Sequence, residues 1–213
     1  MSARQRRIGV YGGAFDPIHL GHLRCGLEVR QMLGLDELRF VPSGNPPHRS
    51  GARADAAHRL QMLELAIADA TGVVIDSREV QNTGTSYSFD TLASIAADYP
   101  GSELTLIIGT DQFSVFDTWH RWEELLMHHR LAVMERPGES ISDTARNIMQ
   151  QTNAAAQDDR IVLIPVTQLQ ISSSRIRADL SSHKDIQFLV PQLVRDYIHA
   201  NGLYTNETRQ PAG

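Results

Sequence analysis

Cysteine and lysine are nearly absent from this chain of 213 residues. The single Cys25 excludes an internal disulfide framework and a cysteine-rich zinc site, and its place in the first predicted helix favours a buried thiol. The single Lys184 lies in SSHKDI, which is not the Gly-Lys-Ser/Thr of a Walker A loop. The polar surroundings of Lys184 also disfavour a Schiff-base enzyme, which needs a pocket that favours the neutral amine.

Long hydrophobic runs and an excess of basic charge are missing as well. No apolar run approaches the roughly 18 residues of a membrane span, and the basic start MSARQRR is not followed by the apolar core of a signal peptide. We therefore expect a cytoplasmic protein with no membrane partner. The net charge of −5 disfavours a nucleic-acid partner, because duplex binding depends on broad basic surfaces. An anionic ligand would need a local cluster of positive groups.

Short β-branched runs alternate with longer amphipathic stretches along the whole chain. The hydrophobic content of 41% suffices for one sizeable core, so we expect a single domain over 1–213, with its core at about 8–204 and a frayed tail at 205–213. The alternation predicts a Rossmann-like α/β fold, a doubly wound parallel sheet with helices on both faces. The predicted strands are 8–11, 38–42, 73–76, 104–109, 131–136 and 161–166, and the predicted helices are 20–33, 57–70, 89–99, 121–129, 142–156, 175–182 and 191–201.

The turn between the first predicted strand and helix reads GGAFDPIHLGH. Gly12 and Gly13 allow a sharp turn and a ligand close to the main chain. His19 and His22 are three residues apart in the opening helical turn, so both rings project from one face. Free N–H groups at such a turn favour an anion, and the stretch therefore predicts a phosphate site. A metal site is the alternative, but no HExxH pattern accompanies the histidines.

A second unusual stretch, ISSSRIRADL, follows the last predicted strand. Ser172 or Ser173 can cap a helix whose first turns carry Arg175 and Arg177. Arginines at a helix N-terminus are unfavourable unless an anion lies nearby. The stretch therefore indicates a second phosphate contact, with an ordinary cap and solvated arginines as the alternative.

Together the two stretches resemble the nucleotidyltransferase superfamily that carries H-x-G-H near the amino end and I-S-S-T-x-I-R near the carboxyl end, with Ser174 for the usual threonine. Three further segments, PSGNPPHR, IIGTDQFSVFDTWHRWEEL and YIHANGLY, resemble the bacterial nicotinate mononucleotide adenylyltransferase family. Ala14 and Ser88 stand where that family has threonine. The resemblance implies adenylyl transfer from ATP to nicotinate mononucleotide in NAD biosynthesis, by direct attack of the acceptor's 5′-phosphate on the α-phosphorus, giving deamido-NAD and pyrophosphate.

The resemblance also implies an ATP site with three catalytic residues. His22 would contact the α-phosphate, His19 would lie nearer the triphosphate, and Arg177 would bind the β- and γ-phosphates with Ser173. Asp111 would bind the ribose hydroxyls, with helix capping as its alternative role. The full implied site consists of Gly12, Gly13, Phe15, His19, His22, Gly109, Asp111, Ile171, Ser172, Ser173 and Arg177.

The acceptor site that the resemblance implies is aromatic at its pyridine end. Trp119 would stack on the electron-poor ring, next to the loop that holds Tyr87. Ser88 and the backbone N–H of His120 would donate to the nicotinate carboxylate and so favour the acid over the amide. Arg49 would bind a phosphate, with a solvated loop arginine as the alternative, and Trp119 has a core role as its own alternative.

Magnesium is expected as the ATP complex, held by phosphate oxygens, and no protein ligand for it is predicted. Asp16 is the nearest candidate carboxylate, with a role in capping the loop as the alternative. Three other functions stay open: another small nucleotidyltransferase such as a pantetheine-phosphate adenylyltransferase, a noncatalytic nucleotide-binding protein, and a metal-dependent hydrolase. The oligomeric state is also open, a homo-oligomer included.

Overall fold

Six parallel strands form one sheet in the order β3-β2-β1-β4-β5-β6. The computed structural model describes residues 4–44, 53–82, 84–135, 141–167 and 169–205. Arg49 and residues 206–213 of the predicted tail at 205–213 lie outside these residues. The strands are β1 Arg7–Gly13, β2 Glu37–Pro42, β3 Val73–Ile75, β4 Glu103–Gly109, β5 Arg130–Glu135 and β6 Ile161–Pro165. All six predicted strands are confirmed. They could be recognised from their apolar runs, which are typical of a parallel sheet that is covered on both faces.

The helices cover both faces of the sheet. They are α1 Leu20–Leu33, α2 Ala56–Ile67, α3 Arg78–Gln81, α4 Ser88–Asp98, α5 Thr110–Phe113, α6 Trp122–His128, α7 Asp143–Ala156, α8 Ser173–Ser181 and α9 Gln192–Ala200, with a 3₁₀ turn at Phe116–Thr118. The seven predicted helices are confirmed with ends shifted by a few residues. The short α3, α5 and the 3₁₀ turn were not predicted, because four residues or fewer carry too little periodicity.

Two hydrophobic clusters lie on opposite faces of the sheet. One contains the buried residues of α1, α2, α8 and α9, and the other contains those of α4, α6 and α7. Neighbouring residues of β1 alternate between them, since Val10 belongs to the second cluster and Tyr11 to the first. The predicted doubly wound architecture is therefore confirmed. Across the described ranges, every helix is too short or too polar to cross a bilayer.

Cys25 departs from its expected place. Its side chain is only partly buried, and its Sγ lies 3.8 Å from the Thr167 carbonyl oxygen at the edge of a cavity. The expectation of a buried thiol is wrong because α1 covers the sheet with its other face, on which Gly26 and Val29 are buried.

Candidate active site

The strand order places a break in the winding direction between β1 and β4. In an open α/β sheet, ligands bind beyond the carboxyl ends of the strands at this switch point. β1 ends at Gly13 and β4 ends at Gly109. Both glycines were predicted in the ATP site, and the fold brings their strand ends next to each other.

The two predicted catalytic histidines lie together at the start of α1. His19 is the N-cap residue, and its Nδ1 accepts a hydrogen bond of 3.3 Å from the His22 backbone N–H. The two rings stack with centroids 3.6 Å apart and an angle of 21° between their planes. A neutral His19 that accepts at Nδ1 carries its proton on Nε2. The turn therefore carries a ring N–H of His19 at the positive dipole end of α1.

Glycines make the ring positions possible. A Cβ added at Gly21 would lie 3.0 Å from the His19 ring, and one added at Gly13 would lie 2.9 Å from the Phe15 ring. Phe15 has a left-handed backbone with φ of 46° and is only 2% exposed. Its ring packs edge-on against His22, with centroids 5.2 Å apart. The aromatic core therefore supports the His22 ring from behind.

The second predicted motif docks directly on the first. Ser172 caps α8 by accepting from the Arg175 backbone N–H at 3.2 Å. The Ser173 hydroxyl donates to the Pro17 carbonyl oxygen at 2.9 Å, and Arg177 Nη1 donates to the Asp16 carbonyl oxygen at 2.6 Å. The start of α8 is thus fixed to the loop that precedes α1, although 156 and 161 residues separate the partners.

A cavity of about 170 Å³ lies where the two helix starts meet. The positive dipole ends of α1 and α8 border one part of it, which suits a phosphate chain. Apolar side chains at the ends of β5 and β6 border another part, which suits a flat base. The lining residues are Tyr11, His19, Gly21, His22, Cys25, Gly109, Met134, Val166, Thr167, Leu169, Ile171, Ser172 and Ser173.

Six of the eleven residues of the implied ATP site line this cavity, and five do not: Gly12, Gly13, Phe15, Asp111 and Arg177. The Phe15 ring is buried in the core, so its side chain cannot touch a ligand. Arg177 is absent from the lining, since its guanidinium binds Asp16 and also donates to Ser174 Oγ at 3.2 Å. Gly12 also lies outside the lining and faces open space: a Cβ there would meet no protein atom within 4 Å.

Asp111 follows β4 at the start of α5, and its side chain is exposed. A Cβ at Gly109 would lie 2.6 Å from the Asp111 carboxylate, so glycine allows this side chain to lie over the strand end. The capping alternative is not supported, because Gly109 is the N-cap residue and no side chain caps α5.

Asp16 holds the loops around the cavity together. Its carboxylate accepts from the Arg53 N–H at 2.7 Å, the Ala54 N–H at 3.1 Å and the Tyr204 hydroxyl at 2.7 Å. Arg177 Nη1 lies 3.7 Å from the same carboxylate. Burial and the neighbouring Asp16 charge raise the pKa of Tyr204 above its usual value, so its hydroxyl stays a donor. Asp16 therefore has the loop-holding role that the sequence left as an alternative.

Arg59 links the same loop to the end of β2. Its Nη1 donates to the Ala14 carbonyl oxygen at 2.8 Å and its Nη2 to the Ser43 carbonyl oxygen at 2.7 Å. Burial lowers the pKa of Arg59 from its usual value, and the nearby Asp16 charge opposes this effect. Sequence reasoning missed this residue, because nothing in the apolar pattern of α2 distinguishes a buried arginine.

The predicted acceptor residues form a partly exposed aromatic group. The Tyr87 and His120 rings lie 4.4 Å apart at 36°, and Ser88 opens α4 directly after Tyr87. Trp119 is half-buried and lies 5.2 Å from the fully buried Phe116. The fold thus brings Tyr87, Ser88 and His120 together, while Trp119 combines a core contact with an accessible face.

Within the ranges that the structure describes, metal-ligating side chains are not clustered. Among the residues that it describes, no group of three or more His, Cys, Asp or Glu side chains could hold an ion. The Asp16 carboxylate is already occupied by two backbone N–H groups and a hydroxyl. These side chains therefore fit a metal ion that is coordinated by the oxygens of a bound substrate better than one that is coordinated by the protein.

The fold and the paired helix starts define a nucleotide-binding α/β protein of the nucleotidyltransferase class. The model of the cytidylyltransferase-like family matches residues 10–179. A Pseudomonas syringae pv. tomato protein named "Probable nicotinate-nucleotide adenylyltransferase" is 43% identical over 215 residues, 96% of each chain. A Methylococcus capsulatus protein of the same name is 42% identical over 92% of this chain and 99% of its own.

The chain therefore belongs to the cytidylyltransferase-like family and, within it, to the nicotinate-nucleotide adenylyltransferases, as its motifs predicted. The solved structure "Plasmodium falciparum nicotinic acid mononucleotide adenylyltransferase complexed with NaAD" has the same fold, with a TM-score of 0.76 at 21% identity, over 94% of this chain and 98% of that one. A second structure of the same protein, complexed with APC, gives a TM-score of 0.72.

Proposed function

We propose that the protein transfers the adenylyl group of ATP to nicotinate mononucleotide, giving deamido-NAD and pyrophosphate. The observation that carries the proposal is the meeting of the His19–His22 turn and the start of α8 at one cavity, in a chain about 40% identical to nicotinate-nucleotide adenylyltransferases. An acceptor phosphate oxygen forms a bond to the α-phosphorus. The bond from that phosphorus to the bridging β-oxygen breaks, and pyrophosphate leaves.

The histidines and the two helix starts would act on the phosphates. Phosphoryl-type transfer needs positioning and charge stabilisation more than a protein nucleophile. His22 would contact the α-phosphate oxygens as charge builds there, with His19 nearer the leaving phosphates. Ser172, Ser173 and adjacent N–H groups of α8 would bind the β- and γ-phosphates. Arg177 would join them by exchanging the Asp16 carbonyl oxygen for a phosphate oxygen.

The base and ribose would occupy the other end of the cavity. Met134 and Val166 close the ends of β5 and β6 with apolar surface, which suits a purine ring. Asp111 is exposed beside Gly109 and would accept from the ribose hydroxyls.

The nicotinate end would lie at the Tyr87–His120 group. An electron-poor pyridine ring stacks well on an indole face, and the accessible face of Trp119 offers one. Ser88 and the His120 N–H would donate to the carboxylate. A site of donors suits a carboxylate better than an amide, which also needs an acceptor. Arg49 as a phosphate ligand stays a prediction, since it lies outside the described residues.

Magnesium would enter as MgATP, with its oxygen ligands supplied by the phosphates. The protein's part is to hold the phosphate chain between α1 and α8. The cytoplasmic location remains a prediction from the sequence, and the oligomeric state is still open.

The test compares three acceptors in the presence of MgATP: nicotinate mononucleotide, nicotinamide mononucleotide and 4′-phosphopantetheine. We expect strong pyrophosphate release with the first alone. Equal rates with the acid and the amide would overturn the assigned carboxylate pocket. Turnover with 4′-phosphopantetheine instead would replace the proposed function by that of another small nucleotidyltransferase.

A further inference from the structure

Glu28 is a buried carboxylate on the helix that carries the two histidines. It lies six residues after His22 and is 9% exposed. Its Oε2 accepts from the Thr167 backbone N–H at 2.6 Å, and its Oε1 accepts from the Thr167 hydroxyl at 2.6 Å. Arg24 Nε donates to Oε1 at 2.6 Å. One side chain of α1 thus binds two donors of a residue 139 positions away.

Thr167 lies in a part of the cavity wall that is outside the helices and strands. β6 ends at Pro165 and α8 begins at Ser173, and the described residues between them, 166–167 and 169–172, are in neither a helix nor a strand. Five of them line the cavity: Val166, Thr167, Leu169, Ile171 and Ser172. Val166 is also buried in the core cluster of this face, and its N–H lies 3.4 Å from the Glu135 carbonyl oxygen. The Thr167 carbonyl oxygen lies 3.8 Å from Cys25 Sγ, so the two bonds of 2.6 Å to Glu28 are much shorter than this contact.

The negative charge of the Glu28 carboxylate favours these hydrogen bonds. Burial raises the pKa of Glu28, but the hydrogen bonds from Thr167 and Arg24 outweigh burial and leave its pKa below the usual value. An ionised carboxylate that loses its partners while buried carries a large desolvation cost. Its short hydrogen bonds are of the charge-assisted kind, which are stronger than neutral ones.

We propose that Glu28 is a positioning residue for the nucleobase end of the ATP site. It holds Thr167 at a set distance from His22, because Glu28 and His22 both lie on the rigid helix α1. Val166 and Leu169 belong to the same wall of the cavity. Glu28 touches neither phosphate nor acceptor in this scheme. The inference rests on the proposed function for the identity of the nucleotide.

The main test uses the isosteric variant Glu28→Gln, which has one acceptor oxygen for the two Thr167 donors. The dissociation constant is measured by calorimetry for ATP and for tripolyphosphate, which has no base. We expect ATP to bind about tenfold more weakly, as the loss of one hydrogen bond to a charged group allows. Binding of tripolyphosphate should stay within about twofold, because the phosphate contacts are intact. Unchanged ATP binding, or equal losses for both probes, would overturn the proposal.

Two matched controls separate positioning from general stability. Glu103→Gln changes a half-buried glutamate that pairs with Arg7 and Arg130 at the opposite end of the sheet, and it should leave both dissociation constants unchanged. Thr167→Ser keeps both donors and should therefore bind ATP at least about threefold more tightly than Thr167→Val, which lacks the hydroxyl donor. Equal ATP binding by the serine and valine variants would contradict the role of the hydroxyl.

The binding measurement also separates this inference from the proposed reaction. A native chain that binds ATP but forms no product with nicotinate mononucleotide would refute the proposed function and leave Glu28 testable. In the active enzyme, Glu28→Gln should raise the KM for ATP and leave the KM for nicotinate mononucleotide within about twofold. A parallel rise in both KM values would assign Glu28 to the general fold.

Discussion

The Tyr204 hydroxyl donates a hydrogen bond of 2.7 Å to the Asp16 carboxylate, 188 residues earlier in the chain. The end of the described chain is thereby attached to the loop that connects β1 to the histidine helix. The Asp16 carboxylate also accepts hydrogen bonds from the Arg53 and Ala54 backbone N–H groups, and it lies 3.7 Å from Arg177 Nη1. Tyr204, the last residue of the YIHANGLY segment, thus helps to hold the loop of the site in place.

Replacing Tyr204 by phenylalanine should loosen this link. The variant removes one hydrogen bond to a charged group, so we expect the free energy of unfolding to fall by about 1–2 kcal/mol and kcat/KM to fall several-fold. Tyr197→Phe is the matched control, since its hydroxyl contacts His58 between α2 and α9 and not Asp16. Chemical denaturation and steady-state kinetics measure both effects. Equal kinetics for the two variants would show that the Asp16 contact does not matter.

Replacing Gly21 by alanine should lower the activity and leave the stability nearly unchanged. Alanine is a better helix former than glycine by up to about 1 kcal/mol, but its Cβ would lie 3.0 Å from the His19 ring. We expect Gly21→Ala to keep its melting temperature within a few degrees and to lose at least about tenfold in kcat. Gly101→Ala does not serve as a control because of its left-handed backbone. Gly84→Ala does, because its φ is outside that region and the added Cβ would make only an ordinary contact of 3.5 Å with Asn82 Oδ1. Full activity of Gly21→Ala would contradict the need for the stacked imidazoles.

Truncation of Trp119 tests the acceptor site. Its face is accessible while its other side packs on Phe116, so Trp119→Ala should raise the KM for nicotinate mononucleotide and leave the KM for ATP nearly unchanged. Trp122→Ala is the comparison, because that ring also packs against Phe116, with centroids 6.2 Å apart, and is not predicted to touch substrate. Thermal collapse of the Trp119 variant, without a selective change in KM, would support the core role instead.

Stability should decrease on acidification in part because of His129. Burial first, and then the nearby His128 and Arg160, lowers the pKa of His129 to about 4, whereas the unfolded chain has the usual value near 6.5. Between these values the unfolded state binds a proton that the folded state does not, so stability is present above about pH 6.5 and is lost as the pH falls towards 4. The loss should reach about 3 kcal/mol at most.

Urea unfolding of the native chain and of His129→Gln, between pH 7 and pH 4, measures this contribution. The native curve should fall more steeply than that of the variant. Curves that stay parallel over this range would show that His129 titrates equally in both states.

The strands and the long helices could be predicted from apolar runs and periodicity, and the nucleotide site from two motifs with a family resemblance. The links that hold the site could not. Glu28 and Thr167, or Asp16 and Tyr204, become partners only when the whole sheet has formed. Glu28 and Thr167 do not look unusual in their own segments, and the sequence singled out Asp16 without its partner Tyr204. Phe15 was placed in the ATP site because it stands within the motif. The missing Cβ of Gly13 instead leaves room for its ring, which turns inward.

The central claim is that the histidine turn of α1 and the start of α8 bind one ATP and stabilise charge on its α-phosphate. Single-turnover adenylyl transfer by His22→Ala, at saturating MgATP and nicotinate mononucleotide, tests it most directly. The account predicts a rate at least ~100-fold below that of the native chain, with the circular dichroism spectrum and melting temperature unchanged. A variant that keeps the full rate would contradict it.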